Sequence, residues 1–217
     1  MTDIYFPGCH YTLHSPQNSR KIRDWLRQKY GIRPMGCCSV HLGRVRPNDR
    51  VIYVCPTCGA FIDEYAPQAE GLSVWEILQN DDTFPWPDCR GERMTVQDCW
   101  RMRENRSLQK AVRAILHRMN VETVEIARAF DKTDFCGISL FKPASPRYAK
   151  FAPVRFIENA GDKFIALPDG KKRERMIRHC HQFGTEKVVC YCTGCLEGLQ
   201  LGGVKGIHLM DMVTAAL

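Results

Sequence analysis

The chain has 217 residues, of which 44% are hydrophobic and 25% charged, with a formal net charge of +7. That length suits one large domain or two small ones with a buried core, and the balance is that of an ordinary globular protein, not a disordered or fibrous one. No stretch approaches the roughly 18 apolar residues of a membrane span, and Met1-Thr2-Asp3-Ile4-Tyr5 lacks the basic and apolar regions of a signal peptide, so the expectation is a cytoplasmic protein. In chain order, residues 3–6 read as a short strand entering the loop Pro7-Gly8-Cys9. Ser15-Pro16 marks a helix start, Ile22, Trp25, Leu26 and Tyr30 continue it at helical spacing, and Gly31 stops it. Val51–Val54 is a buried strand with Cys55-Pro56-Thr57-Cys58 at its end, and Leu72, Trp75, Ile77 and Leu78 suggest a short helix. Residues 80–91, with acidic residues, Pro85, Pro87 and Gly91, give the clearest boundary.

After that boundary the order repeats. Met94-Thr95-Val96 reads as a strand running into Asp98-Cys99, and Leu108, Val112, Ile115, Leu116 and Met119 line one helix face. Val121–Ile126 reads as a strand leading to Phe135-Cys136-Gly137. Residues 141–155, rich in proline and basic side chains, read as a functional loop or as part of an insertion at about 141–170. A helix over Lys171–His181 precedes the strand Lys187-Val188-Val189, which ends in Cys190-Tyr191-Cys192-Thr193-Gly194-Cys195. Gly206-Ile207-His208 and a closing helix, Leu209–Ala216, complete the chain. Strands alternating with helices imply an α/β fold of two related halves, 1–85 and 86–217, with mainly parallel sheets. Ligands collect at the carboxyl ends of such strands, where the loop cysteines would converge.

There are twelve cysteines. A reducing cytosol disfavours disulfides, so clustered thiols point to metal or redox chemistry. Cys9, Cys37, Cys38, Cys55 and Cys58 outnumber the four ligands that zinc needs, which suggests a multi-iron cluster, although the ferredoxin cysteine run is absent. The second half offers Cys99, Cys136, Cys192 and Cys195, with Cys190 as a possible fifth. Cys89 and Cys180 read as bystanders. His10 and His41 adjoin the first set and are candidate proton donors; His208 reads as a structural residue at a helix start, and His181 as surface helix or a zinc partner of Cys180. Trp25 and Trp75 read as core, while Trp86 and Trp100 are placed to keep water from a cluster. The basic stretches Arg101-Met102-Arg103 and Lys171-Lys172-Arg173 read as solvated helix faces or as a surface for an acidic partner or phosphate. No nucleic-acid module is visible.

Pro7-Gly8-Cys9, Gly36-Cys37-Cys38, Cys55-Pro56-Thr57-Cys58, Asp98-Cys99, Cys136-Gly137 and Cys192-Thr193-Gly194-Cys195 together resemble the duplicated cysteine-rich CCG domain of the heterodisulfide reductase B subunit and related anaerobic oxidoreductases. The segments 71–78 and 206–213 are similar to those that come after C-x-x-C in that domain, so the resemblance spans nearly the whole chain. It implies a non-cubane 4Fe-4S cluster on the five cysteines of the first half, and disulfide or thiol reduction or electron relay as the activity. It also implies a flavoprotein or ferredoxin-like iron–sulfur subunit as electron donor and a small disulfide or thiol as substrate. The chain departs from the pattern where Ser39 follows Cys38, where both spacers of the first motif are short, and where Phe135 replaces the first member of the second vicinal pair. The second half is then left with a second 4Fe-4S cluster or zinc. A non-catalytic electron-transfer subunit and a zinc-stabilised binding module are the rival expectations.

Overall fold

The computed structural model describes residues 2–217. Among these residues, eight strands form two four-stranded, all-parallel sheets. The first contains β1 (Asp3–Phe6), β2 (Arg33–Pro34), β3 (Arg50–Tyr53) and β4 (Glu70–Ser73) in the order β2-β1-β3-β4. The second contains β5 (Glu92–Gln97), β6 (Val121–Val124), β7 (Lys187–Cys190) and β8 (Lys205–His208) in the order β6-β5-β7-β8. The two orders are the same, so the duplication read in the sequence is a duplication of topology. In each half the chain steps from its first strand to one side and then back to the other. That puts a switch point between the first and third strands, the place where open α/β sheets bind ligands.

The helices of the first half are α1 (Cys9–His14), α2 (Pro16–Tyr30), α3 (Cys38–His41), α4 (Pro56–Tyr65) and α5 (Val74–Leu78). Those of the second are α6 (Arg106–Arg118), α7 (Pro146–Phe151), α8 (Asp169–Cys180), α9 (Thr193–Leu201) and α10 (Leu209–Val213). Proline stands in the first turn of α2, where it blocks no helical hydrogen bond, and Gly31 ends that helix at φ 67°, a left-handed conformation that suits glycine. Asn105 caps α6 by accepting the Leu108 N–H at 2.8 Å. Ser73 and Glu76 form a reciprocal cap at α5. Leu72, expected in that helix, lies instead on β4, because the cap at Ser73 fixes the helix start after it.

The buried apolar residues of both halves form one continuous core. Each half lends its closing helix to the other: α5 packs on α6, and the end of the chain packs on α2. Tyr11 of α1 stacks on His208 with ring centroids 4.5 Å apart, and its hydroxyl donates to Asp211 at 2.8 Å. The segment after residue 141, read as a functional loop or insertion, folds into α7 and a single π-helical turn, Val154–Glu158. Its Phe151 packs on Phe61 of α4 at 5.2 Å and its Phe156 stacks on Tyr148 at 4.4 Å, so an aromatic layer seals the joint between the halves.

Candidate metal centres

Every cysteine of the two motifs follows the carboxyl end of a strand. Cys9 follows β1 and Cys55 follows β3, which are adjacent and in register from Asp3 opposite Arg50 to Phe6 opposite Tyr53. Cys99 follows β5 and Cys192 follows β7, again neighbours across a switch point. Cys37-Cys38 and Cys136 come from the loops after β2 and β6. Cys55 and Cys192 are the N-cap residues of α4 and α9.

In the second half, the sulfurs of Cys99, Cys136, Cys192 and Cys195 all lie within 4.8 Å of one another, and all four residues are buried. Cys99 and Cys136 are 3.5 Å apart. Four thiolates at the zinc–sulfur bond length of about 2.3 Å span tetrahedral edges of about 3.8 Å, so the group matches the ligand set of one tetrahedral ion. The thiol of Cys136 is held well below its usual range, first by hydrogen bonds from Cys192, Cys195 and Cys99, against the opposing effect of burial and with help from Arg101. Cys99 and Cys195 are raised, chiefly by burial.

The support around it is polar and buried. The Arg101 Nε donates to the Cys136 sulfur at 3.0 Å, and Ser139 Oγ donates to the same sulfur at 3.1 Å. The Cys99 amide donates to Tyr191 Oη at 3.1 Å, and that hydroxyl donates to Asp98 at 3.0 Å. Asp98 takes both terminal nitrogens of Arg113 at 2.7 Å each. Arg101, read in the sequence as part of a solvated face, is 3% exposed. Gly137 has φ 54°, and a Cβ there would lie 1.8 Å from the Gly194 carbonyl oxygen, so only glycine lets the Cys136 loop pass the Cys192–Cys195 turn.

Cys190, the possible fifth ligand, stands outside this group: its buried sulfur lies 3.6 Å from the Cys192 carbonyl oxygen. Phe135, which precedes Cys136, stacks on His179 at 3.9 Å between ring centroids. His179 in turn lies 2.7 Å from Gln97 Oε1. Cys180 approaches only the Leu199 carbonyl, at 3.9 Å, and His181 is exposed, so they form no pair. Trp100 is buried against Phe156 and Phe164, while Trp86 packs on Phe84 near the boundary segment.

The five thiols of the first half are neighbours in a different pattern. Cys38 and Cys58 are buried with their sulfurs 3.1 Å apart, and Cys9, Cys37 and Cys55 are partly exposed. The Cys37 sulfur and the Ser39 hydroxyl are hydrogen-bonded at 3.1 Å, so Ser39 bonds the vicinal pair. Cys55 is held down to about 6 by a hydrogen bond from Cys58, with the backbone N–H groups of Thr57 and Cys58 and the Arg101 charge adding to it. Cys9 is pushed up to about 11 by burial and by Cys37 beside it. Among the described residues these five do not form a four-ligand group as compact as that of the second half. They match a larger inorganic core in two further respects. The Tyr5 hydroxyl, fully buried and near enough to Cys58 to be perturbed by it, has no hydrogen-bond partner, nor has His41 Nδ1. Orphaned donors beside a thiol set suit sulfide or thiolate acceptors.

Between the two centres lies a cavity of about 200 Å³ whose wall includes His10, Cys55, Arg101, Lys142, Arg147 and Cys192. One thiol from each centre and three cations thus face the same space. His10 is exposed there, whereas His41 lies against Gly36 and is not part of that wall.

No family profile and no curated protein matches the chain. A solved structure, an aspartate racemase homologue from Pyrococcus horikoshii OT3, is similar over 99% of this chain and 96% of its own, at 11% identity and a TM-score of 0.33. The fold and the site define an α/β protein of two parallel-sheet halves with a buried four-cysteine group able to hold a metal.

Proposed function

We propose that this protein is a metal-dependent oxidoreductase component in which the two cysteine sets have different tasks. The four-thiol group is a closed, structural centre for one tetrahedral ion, zinc by its sulfur spacing. The five-thiol set is the open, reactive centre, and by the resemblance to the CCG domain it takes an iron–sulfur cluster. The observation that carries this division is exposure: the four second-half thiols are buried and mutually adjacent, whereas Cys9, Cys37 and Cys55 are partly open to solvent. Structural metal sites are closed and reactive ones keep an accessible position.

An iron–sulfur cluster at this centre supplies electrons singly and offers iron as a soft partner for sulfur. A disulfide becomes two thiols by taking up two electrons and two protons. The electrons come from a separate flavoprotein or ferredoxin-like subunit. The chain's own contribution is the cavity, which brings a small substrate against Cys55, and His10 in its wall, which is placed to pass a proton to a departing thiolate.

Anaerobic reconstitution of the full chain tests this. Iron and acid-labile sulfide should bind to wild-type protein and be lost in Cys58→Ser, while zinc should remain in Cys58→Ser and be lost in Cys136→Ser. A spectral change on adding small disulfides to the reduced protein marks an oxidoreductase; its absence with a redox-active cluster marks an electron carrier. Iron-free protein after reconstitution, with zinc alone bound, would leave the zinc-stabilised module as the correct reading.

A further inference from the structure

Among the described residues, Arg101 is the most buried charged side chain that has no oppositely charged carboxylate or basic partner. Its guanidinium has three partners besides aromatic faces: the Cys136 sulfur at 3.0 Å, Thr57 Oγ1 at 2.8 Å and Tyr148 Oη at 2.8 Å. None is a carboxylate. Its carbon lies 5.1 Å from the ring centroids of both Tyr148 and Phe156, so the group is sandwiched in the aromatic layer of the insertion. A buried cation without a counter-charge is strongly disfavoured. Four thiolates around one divalent ion leave two negative charges uncompensated, and these are the counter-charge that Arg101 faces.

The donors divide by direction. The Nε reaches the second centre, while one terminal nitrogen, Nη1, is held by Thr57 of the first half's Cys55–Cys58 turn and by Tyr148 of the insertion. A further brace comes from Arg155, whose Nη1 donates to the Arg101 carbonyl at 2.8 Å. We propose that Arg101 is the positioning residue of the four-thiol centre and that it is aimed from the other half: Thr57 and Tyr148 fix the guanidinium so that its Nε stays on Cys136. Metal affinity at the second centre therefore depends on two hydroxyl groups that are not ligands, one of them in the first half. This rests on the reading of the four thiols as a metal centre.

Cobalt(II) titration of the reduced full chain under anaerobic conditions tests it, because tetrathiolate cobalt has intense charge-transfer and d–d bands. Cys136→Ser identifies the bands that belong to this centre. Competition with a chelator then gives the affinity. Loss of a residue that orients a metal ligand costs on the order of 10- to 100-fold in affinity, and that loss is expected for Arg101→Gln. Arg101→Lys, which keeps the charge but loses the fork, should fall between. Thr57→Val and Tyr148→Phe should each weaken cobalt binding in the same direction and shift the same bands, and neither should add to the loss in Arg101→Gln. Should Arg101→Gln fail to fold, the two hydroxyl variants carry the test by themselves. Folded Thr57→Val and Tyr148→Phe with wild-type affinity and bands would overturn the cross-half positioning while leaving the metal centre standing. A wild-type chain without tetrathiolate bands would overturn both.

Discussion

At the scale of single residues, the chemistry is set by what stands beside each sulfur. Cys136 and Cys55 are the two thiols held below their usual range that also feel Arg101. The cysteines were legible in the sequence because their spacing after strands is a local pattern. Arg101, Tyr5 and Tyr148 were not, since nothing local separates a buried arginine from a solvated one; only the aromatic layer packed over it does. Gly137 was visible as part of Cys136-Gly137, but its reason is tertiary: the Gly194 carbonyl occupies the place of a side chain. Replacing Gly137 by Ala is expected to cost about 4 kcal/mol or more, combining a disfavoured backbone with a clash against main chain. Urea unfolding should show that loss, and zinc retention after gel filtration should fall with it. Wild-type stability in this variant would mean that the two loops do not meet as described.

At the scale of elements, the helix starts and the short strands decide the site. The C-x-x-C turns cap α4 and α9, so two thiols of each set sit at a helix N-terminus, where backbone N–H groups favour thiolate. Strands β1, β3, β5 and β7 were readable from their apolar runs. Strand β2 is only Arg33–Pro34, too short and too polar to show any period, and it exists because its backbone pairs with β1. The closing helix α10 is capped by His208, whose Nδ1 accepts the Met210 N–H at 3.2 Å. Burial lowers His208 to about 4, against the ordinary 6.5, with Asp211 opposing the shift and His14 adding to it. A histidine depressed on folding is neutral in the native state, so the unfolded chain gains protons first as the pH drops. Its contribution is intact above about pH 6.5 and is lost progressively toward pH 4, by up to roughly 3 kcal/mol. His179, also lowered to about 4 by burial, acts in the same direction. Urea midpoints at pH 7 and pH 4.5 should therefore differ less in His208→Asn, which still caps the helix but does not titrate, than in wild type. Equal differences would exclude this histidine as the source.

At the scale of the whole molecule, the halves are interdependent. Tyr11 hydrogen-bonds Asp211, Asn18 donates to the same carboxylate at 2.9 Å, and Glu64 accepts the Val154 and Arg155 amides at 2.8 and 2.9 Å. Residues 1–85 and 86–217 produced separately should each lack a cooperative unfolding transition, because each would expose the face covered by the other's closing helix. Co-expression should restore it; a cooperative, monomeric 1–85 fragment would contradict the single shared core. The sequence by itself determined the duplicated strand–cysteine–helix order, the parallel α/β class and the residues that carry sulfur, because these arise from local periodicity and from turn chemistry. Only the tertiary structure decided that the second set closes on four thiols with Cys190 turned away, and that the arginine between the centres is buried. Those outcomes depend on which side chains from distant segments fill the space at the strand ends, and no local pattern encodes that.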